Sequence, residues 1–256
     1  MTRFRDKLVL VTGSGRGIGR EIALRFAREG AHIVVNFFRN REPAEETAVA
    51  IRQLGQQALV VKANMGNLDD IKHLYREIET NFGGLDILVH NAASGYNRPA
   101  LEQKTRGWEW TMNINARSLL FGAQQAVPLM QKRGGGAIVA VSSLGSQRVM
   151  PDYIVVGTSK AALESLVRYL GAELAPYKIV VNAVSPGVVL TEALTHFASF
   201  REEDDLVKHV LARTPIGRLC TPEDIADVVT FLCSSAAQTI CGQTIIMDGG
   251  HSLLIQ

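Results

Sequence analysis

Leu8-Val9-Leu10-Val11-Thr12-Gly13-Ser14-Gly15-Arg16-Gly17-Ile18-Gly19 joins four apolar residues to a run in which glycine takes four of eight positions. The apolar part reads as a buried strand, and a helix opens at the end of the glycine run. Glycine lets the backbone turn tightly and approach a bound group, while the amides at a helix N-terminus point at negative charge. The run does not satisfy G-x-G-x-x-G, because Ile18 and Arg20 stand where the last glycine is required. It reads Thr-Gly-x-x-x-Gly-x-Gly instead. Such a loop by itself is no more than a turn. Its place between strand and helix predicts a cradle for the diphosphate of a dinucleotide, formed by Gly13, Ser14, Arg16, Gly17, Ile18 and Gly19.

Beyond that turn, short β-branched runs alternate with longer helical patterns, the sign of repeated βαβ units and a parallel sheet covered on both faces. Strands are expected at 8–11, 32–36, 58–62, 87–90, 137–142, 179–183 and 244–247, with six intervening helices. This fills residues 1–256 as a single α/β domain, a Rossmann-type doubly wound fold with a seven-stranded parallel sheet. Gly134-Gly135-Gly136 is a tight turn into a strand and not a domain boundary. Residues 191–219 are the least periodic part, mixing Phe197 and Phe200 with Arg201, Glu202, Glu203, Asp204 and Asp205. A lid over a substrate cleft has this character; so does a plain surface insertion.

The bulk properties are those of an ordinary globular enzyme: 256 residues, 46% hydrophobic and 20% charged. A net charge of +2 gives no ground for nucleic acid binding. Cys220, Cys233 and Cys241 form neither a CxxC pair nor a metal-ligand spacing, so no metal is expected and free thiols in a reducing compartment are. The polar, basic start from Met1 to Lys7 and the absence of a spanning apolar stretch place the expectation in the cytoplasm, away from a membrane.

The glycine loop and several later segments resemble the short-chain dehydrogenase/reductase family, over the whole chain. His90-Asn91-Ala92-Ala93 is similar to its Asn-Asn-Ala-Gly segment, with His and Ala substituted at the ends. Asn115 resembles the helix asparagine that anchors a water near the catalytic lysine. Ser142-Ser143 resembles the serine pair after the fifth strand, with Ser143 at the catalytic position. Pro186-Gly187 followed by Thr191 is similar to the segment that meets the nicotinamide amide, and Asp248-Gly249-Gly250 to the C-terminal signature. The resemblance implies that Asn64, Met65, Asn91, Ala92 and Ala93 also line the cofactor.

Ordinary family members place three residues between catalytic tyrosine and lysine, whereas Tyr153 and Lys160 are separated by six. Four residues before Lys160 stands Val156, which has no hydroxyl. Residues seven apart on a helix lie two turns apart on nearly one face, so Tyr153 can still reach the same cleft, its hydroxyl carried roughly 4.5 Å farther from the lysine. Reduction of a conjugated enoyl thioester delivers hydride to C3 and develops charge on an oxygen two carbons away, which suits a displaced hydroxyl.

The same spacing occurs in the enoyl-(acyl carrier protein) reductases of bacterial fatty acid synthesis, and the segments around Asn91-Ala92-Ala93-Ser94-Gly95 and Trp108-Glu109-Trp110-Thr111-Met112 resemble the third, NADPH-dependent type. That resemblance implies reduction of trans-2-enoyl thioesters on acyl carrier protein by a homotetramer. Tyr153 would donate to the enolate oxygen, and Lys160 would hold the nicotinamide ribose and favour ionisation of the tyrosine. Ser143 either assists the same oxygen or caps its own strand end. Alternative readings are a carbonyl or 3-oxoacyl reductase that uses Tyr153 from an altered register, and a silent NADPH-binding sensor in which Tyr153 is only a residue at the helix entrance.

Cofactor preference turns on the end of the second strand. An acid there would bind the ribose of NAD, but the chain has Asn36 followed by Phe37-Phe38-Arg39-Asn40-Arg41. Neutral and basic groups suit a 2′-phosphate, with Arg39 and Arg16 approaching from two sides and Arg41 a solvated charge at the next helix. Tyr96 either borders the acyl pocket, as Phe197 would, or caps local packing. Trp108 and Trp110 read as scaffold or interface.

Overall fold

The computed structural model describes residues 2–190 and 203–254. Its strands are β1 Leu8–Val11, β2 His32–Phe37, β3 Ala58–Lys62, β4 Ile87–His90, β5 Gly136–Val141, β6 Ile179–Pro186 and β7 Thr244–Met247. They form one seven-stranded sheet in the order β3-β2-β1-β4-β5-β6-β7, every neighbouring pair parallel. The chain steps outward from β1 to β3, returns to place β4 beside β1, and continues to β7. The reversal between β1 and β4 opens a crevice at the carboxyl ends of the strands, where ligands of doubly wound sheets bind.

Successive side chains on each strand point to opposite faces, and both faces are covered. Val9, Val11, Ile87 and Val89 pack with Ile22 and Phe26 of α1 (Gly17–Arg28) and with Ile225 and Val229 of α8 (Pro222–Leu232). Leu8, Leu10 and Leu88 pack on the other face with Leu74 and Ile78 of α3 (Leu68–Phe82) and Leu119 of α5 (Ser118–Gln131). Leu163 and Val167 of α6 (Ile154–Leu174) complete that second core. The first three crossovers also include α2 (Arg41–Gln53).

Two crossovers hold two helices where the sequence pattern gives one. Between β4 and β5 lie α4 (Thr105–Met112) and α5, joined by a single π-helical stretch at Asn113–Arg117 that adds a residue to the turn and carries Asn115 inward. Between β6 and β7, α7 (Glu203–Ala212) precedes α8. The described part of the 191–219 stretch is therefore a helix and a docked turn, with the amide of Ile216 donating to Gly249 O. Among the described residues, no helix is long and apolar enough to cross a membrane.

β2 continues to Phe37, so Asn36 lies inside the strand and is 1% exposed. Its Oδ1 accepts from the Gly13 amide at 3.1 Å, and its Nδ2 donates to Ala63 O at 3.1 Å, with longer bonds to Val61 O and Phe37 O. The expectation that Asn36 is a neutral group facing the 2′-phosphate is corrected: backbone groups occupy its side chain instead, and it holds the glycine loop to β3 from behind. Replacing Asn36 by alanine strands several buried backbone groups, each costing about 1 to 3 kcal/mol. Asn36→Ala should lower the melting temperature by several degrees in a calorimetric scan; an unchanged melt would remove this brace from the fold.

Candidate active site

The glycine loop is shaped by three contacts. Gly13 and Gly17 have φ of 66° and 55°, in the left-handed region that favours glycine. Ser14 Oγ donates to Val11 O at 2.7 Å and accepts from the Asn36 amide, closing the turn on β1 and β2. A methyl on Gly19 would lie 2.5 Å from Gly13 O and from Asn91 Nδ2. The first turn of α1 carries no acidic residue, and its N-cap Arg16 makes no capping bond with its side chain. By contrast α3 is capped by Asn67 and α8 by Thr221. The amides that open α1 are thus left for an anion outside the helix.

The exit of β4 is stitched to the same loop. Thr12 Oγ1 accepts from the amides of Asn91 and Ala92 at 3.0 and 2.9 Å, and Asn91 Nδ2 donates to Thr12 O and Gly13 O. The methyl of Ala93 is exposed and its φ is not positive, so alanine fits where the family more often has glycine. Farther along, Asn115 takes hold of Ser94 at both backbone groups: Oδ1 accepts from the Ser94 amide and Nδ2 donates to Ser94 O, each at 2.9 Å. Asn115 Nδ2 also donates to Ser159 Oγ at 2.9 Å, beside Lys160 on α6. Trp110 Nε1 reaches Ser94 Oγ, and the Trp110 ring lies 6.2 Å from that of Phe38. Trp110 therefore joins the loops after β2 and β4.

Tyr153 is the N-cap of α6, its carbonyl accepting the first helical bond from Gly157. Asp152 before it adopts a left-handed φ of 59°. The tyrosine ring lies against Gly145, where a methyl would sit 2.6 Å from Cε1. Its hydroxyl shares a hydrogen bond with Ser143, which also accepts from the Gly145 amide. Ser143 thus caps the turn that leaves β5 and at the same time contacts the tyrosine hydroxyl. Burial raises the Tyr153 pKa above the ordinary phenol value, opposed by the Ser143 bond. The shift runs against the expected drive toward a tyrosinate and leaves Tyr153 a neutral hydroxyl donor.

Lys160 is 4% exposed and donates to Val141 O at 2.6 Å. Burial lowers its pKa to about 8, with Glu164 working against that fall. His90, fully buried beneath the site, is held neutral with a pKa of about 3, first by burial and then by the Lys160 charge. The Ser118 hydroxyl donates to Ile114 O, so the 2.6 Å contact between Ser118 Oγ and His90 Nε2 assigns the ring proton to Nε2. Val156, at the position that ordinarily bears the tyrosine, is 4% exposed, and a methyl on Gly95 would overlap its Cγ2. The loop after β4 is pressed down onto the valine.

Ser143, Tyr153, Lys160 and Asn115 thus converge, together with the glycine loop and Asn91. Asn64 and Met65 follow β3, where Asn64 Oδ1 accepts from Gly66 and Met65 is buried. Pro186 ends β6, and the Gly187 amide donates to Met247 O. Thr191 and Phe197 lie outside the described residues. Sequence reasoning missed Glu164, whose signal was a charge four residues after Lys160 on the face that carries Leu163 and Val167. It also missed Ser94 and Ser159, for which the sequence holds no such signal.

A family model described as enoyl-(acyl carrier protein) reductase matches residues 13–252. The chain belongs to the short-chain dehydrogenase/reductase family. It is 38% identical over 253 residues to 1-cyclohexenylcarbonyl-CoA reductase of Streptomyces collinus, covering 99% of this chain and 89% of that one. It is 34% identical over 247 residues to a 3-oxoacyl-(acyl carrier protein) reductase of Staphylococcus aureus, covering 95% and 97%. Among solved structures, L-sorbose reductase from Gluconobacter frateurii, complexed with NADPH and L-sorbose, superposes with a TM-score of 0.91 at 30% identity over 100% of both chains. A 7α-hydroxysteroid dehydrogenase complexed with NADH and 7-oxo glycochenodeoxycholic acid gives 0.91 at 34%, covering 97% and 95%.

As a short-chain dehydrogenase/reductase, the chain is an oxidoreductase of a fold that holds a nicotinamide dinucleotide, and its residues fit one. The uncapped α1 amides and the Gly13–Gly19 close approach suit the diphosphate. Arg39 is exposed just after β2 with its guanidinium 5.8 Å from the Phe38 ring, and Arg16 is exposed at the N-cap of α1. Arg41 pairs with Glu45 on α2, as a solvated charge would. Tyr96 takes the capping arrangement: its hydroxyl donates to Gln103 at 2.8 Å and its ring packs under Gly107. Gly19→Ala should weaken binding of a reduced nicotinamide dinucleotide at least tenfold in a nucleotide fluorescence titration, because the methyl forces Gly13 and Asn91 apart. Wild-type affinity in that variant would rule out the closed loop as the cradle.

Proposed function

We propose that this chain reduces trans-2-enoyl thioesters, carried on acyl carrier protein, to saturated acyl thioesters with NADPH. The observation that carries this reading is the pairing of two features. Among the described residues, the tyrosine hydroxyl that reaches Ser143 enters from the N-cap of α6, and the ordinary tyrosine position is a valine buried under Gly95. The name of the Streptomyces relative, a reductase of a cyclohexenylcarbonyl thioester, supports it: that acyl group is a conjugated enoyl.

Each residue has its own part in this reduction. NADPH, when bound, supplies hydride to C3 of the enoyl chain. Negative charge then develops on the thioester oxygen, the Tyr153 hydroxyl, kept neutral by burial, donates a hydrogen bond to it, and the enolate collapses to the saturated thioester by taking a proton at C2 from water. A fixed donor at the point where charge appears is commonly the largest catalytic contribution. Ser143 holds that hydroxyl in place, and Gly145 leaves room for the ring. Lys160, protonated at neutral pH, binds the nicotinamide ribose from below while Val141 O fixes its ammonium. Arg39 and Arg16 receive the 2′-phosphate. The same reading takes the assembly to be a homotetramer, with the exposed apolar side chains Tyr169, Phe231 and Ile246 as candidates for burial in it.

A second reading is reduction of 3-oxoacyl thioesters, favoured by the Staphylococcus relative. NADPH oxidation is followed with crotonyl and with acetoacetyl thioesters in parallel. Turnover of the first alone is expected; turnover of the second alone makes the second reading correct.

Tyr153→Phe should lower kcat on the enoyl substrate about a hundredfold with NADPH affinity nearly unchanged, since the lost bond forms chiefly in the transition state. Val156→Tyr should impair enoyl reduction and create little ketone reduction, because the new ring collides with Gly95. Arg39→Ala should raise KM for NADPH more than for NADH, by roughly tenfold or more; equal weakening of both would exclude its phosphate role. Lys160 must be protonated to act, and its pKa is lowered to about 8, so NADPH affinity should be full below that pH and decline as pH rises through it.

A further inference from the structure

We propose that Glu164 is a positioning residue, whose one carboxylate both fixes the Ser143–Tyr153 pair and balances the charge of Lys160. The side chain is 4% exposed and lies one turn beyond Lys160 on α6. Its Oε1 accepts from Ser142 Oγ and from Ser146 Oγ, both at 2.6 Å, and its Oε2 accepts from Gln147 Nε2 at 3.2 Å. All three donors belong to 142–147, the short strap that leaves β5. Between the two tethered serines lie Ser143, bonded to the tyrosine hydroxyl, and Gly145, in contact with its ring. The carboxylate therefore ties both ends of the strap to the helix that bears Lys160.

A buried carboxylate is costly unless it is paired and hydrogen bonded. The neighbouring inward positions, Leu163 and Val167, show that packing alone is met by apolar residues. The groups around Lys160 leave the compensating charge to Glu164. From β4, His90 presents a neutral ring; from β5, Val141 presents only a carbonyl; at the entrance of α6, Tyr153 is a neutral phenol. Glu164 is what opposes the effect of burial on the lysine.

The inference rests on the reading that Lys160 holds the cofactor and Tyr153 donates to the substrate, but not on which thioester is reduced. NADPH dissociation constants are measured between about pH 6 and 10 by nucleotide fluorescence, a range that spans the lysine's folded value of about 8 on both sides. They are compared for wild type, Glu164→Gln, and the double variant Ser142→Ala with Ser146→Ala; kcat and KM are taken with whichever thioester the wild type turns over. Glu164→Gln keeps the shape and removes the charge, so the pH at which NADPH affinity falls should move down by about one unit, with kcat reduced. The double serine variant keeps the charge and loosens the strap, so kcat should drop about tenfold with KM little changed and the midpoint unmoved. An unmoved midpoint in Glu164→Gln, or wild-type kcat in the serine variant, overturns the proposal. Should Glu164→Gln fail to fold, the serine variant still decides. A wild type active only on acetoacetyl thioester would instead overturn the proposed substrate and leave these comparisons standing.

Discussion

Two loops that belong to different strands, the turn after β1 and the exit of β4, approach each other so closely that the rest of the site depends on their fit. Gly19 sits where a methyl would meet both Gly13 O and Asn91 Nδ2, and Thr12 receives the two amides that come after β4. This contact exists because the sheet reverses direction between those strands, leaving their ends side by side with no strand to cover them. The dinucleotide cradle lies on one side of it and the substrate loop on the other. A shift at Asn91 is transmitted to both, since the nearby pair Ser94 and Gly95 is already held by Asn115 and Val156.

From that contact the catalytic groups are placed by a few buried polar side chains. Asn115 grips Ser94 and Ser159; Ser143 and Gly145 receive Tyr153; Lys160 is anchored on Val141. The π-helical stretch at Asn113–Arg117 is the backbone adjustment that brings Asn115 into this arrangement. Few of these bonds are local in sequence, which makes the site a product of the sheet order and not of any one motif.

The parallel sheet was legible because seven apolar runs recur at βαβ spacing, and four of them match the observed strands to the residue. The ends of the others were less so. β2 extends through Phe37 because its pairing with β3 continues to Lys62, and that one residue turns Asn36 from an apparent strand end into a buried brace. Lys160, Tyr153 and Ser143 could be picked from their spacing and from family resemblance. The direction of the tyrosine's pKa could not, because it depends on how deeply the ring is buried. The partners of Tyr96, Gln103 and Gly107, likewise came only with the fold.

The contact between Gly95 and Val156 bears on how such a site can arise. With a valine under the loop, only glycine fits above it; with a tyrosine in its place, the loop must lift. Neither position can grow alone without a clash, and the alternative hydroxyl at Tyr153 depends in turn on glycine at 145. Two of the glycines and two of the larger side chains are therefore coupled as a set. Moving the tyrosine from one spacing to the other is not a single substitution: the residue under the loop and the residue above it have to change together.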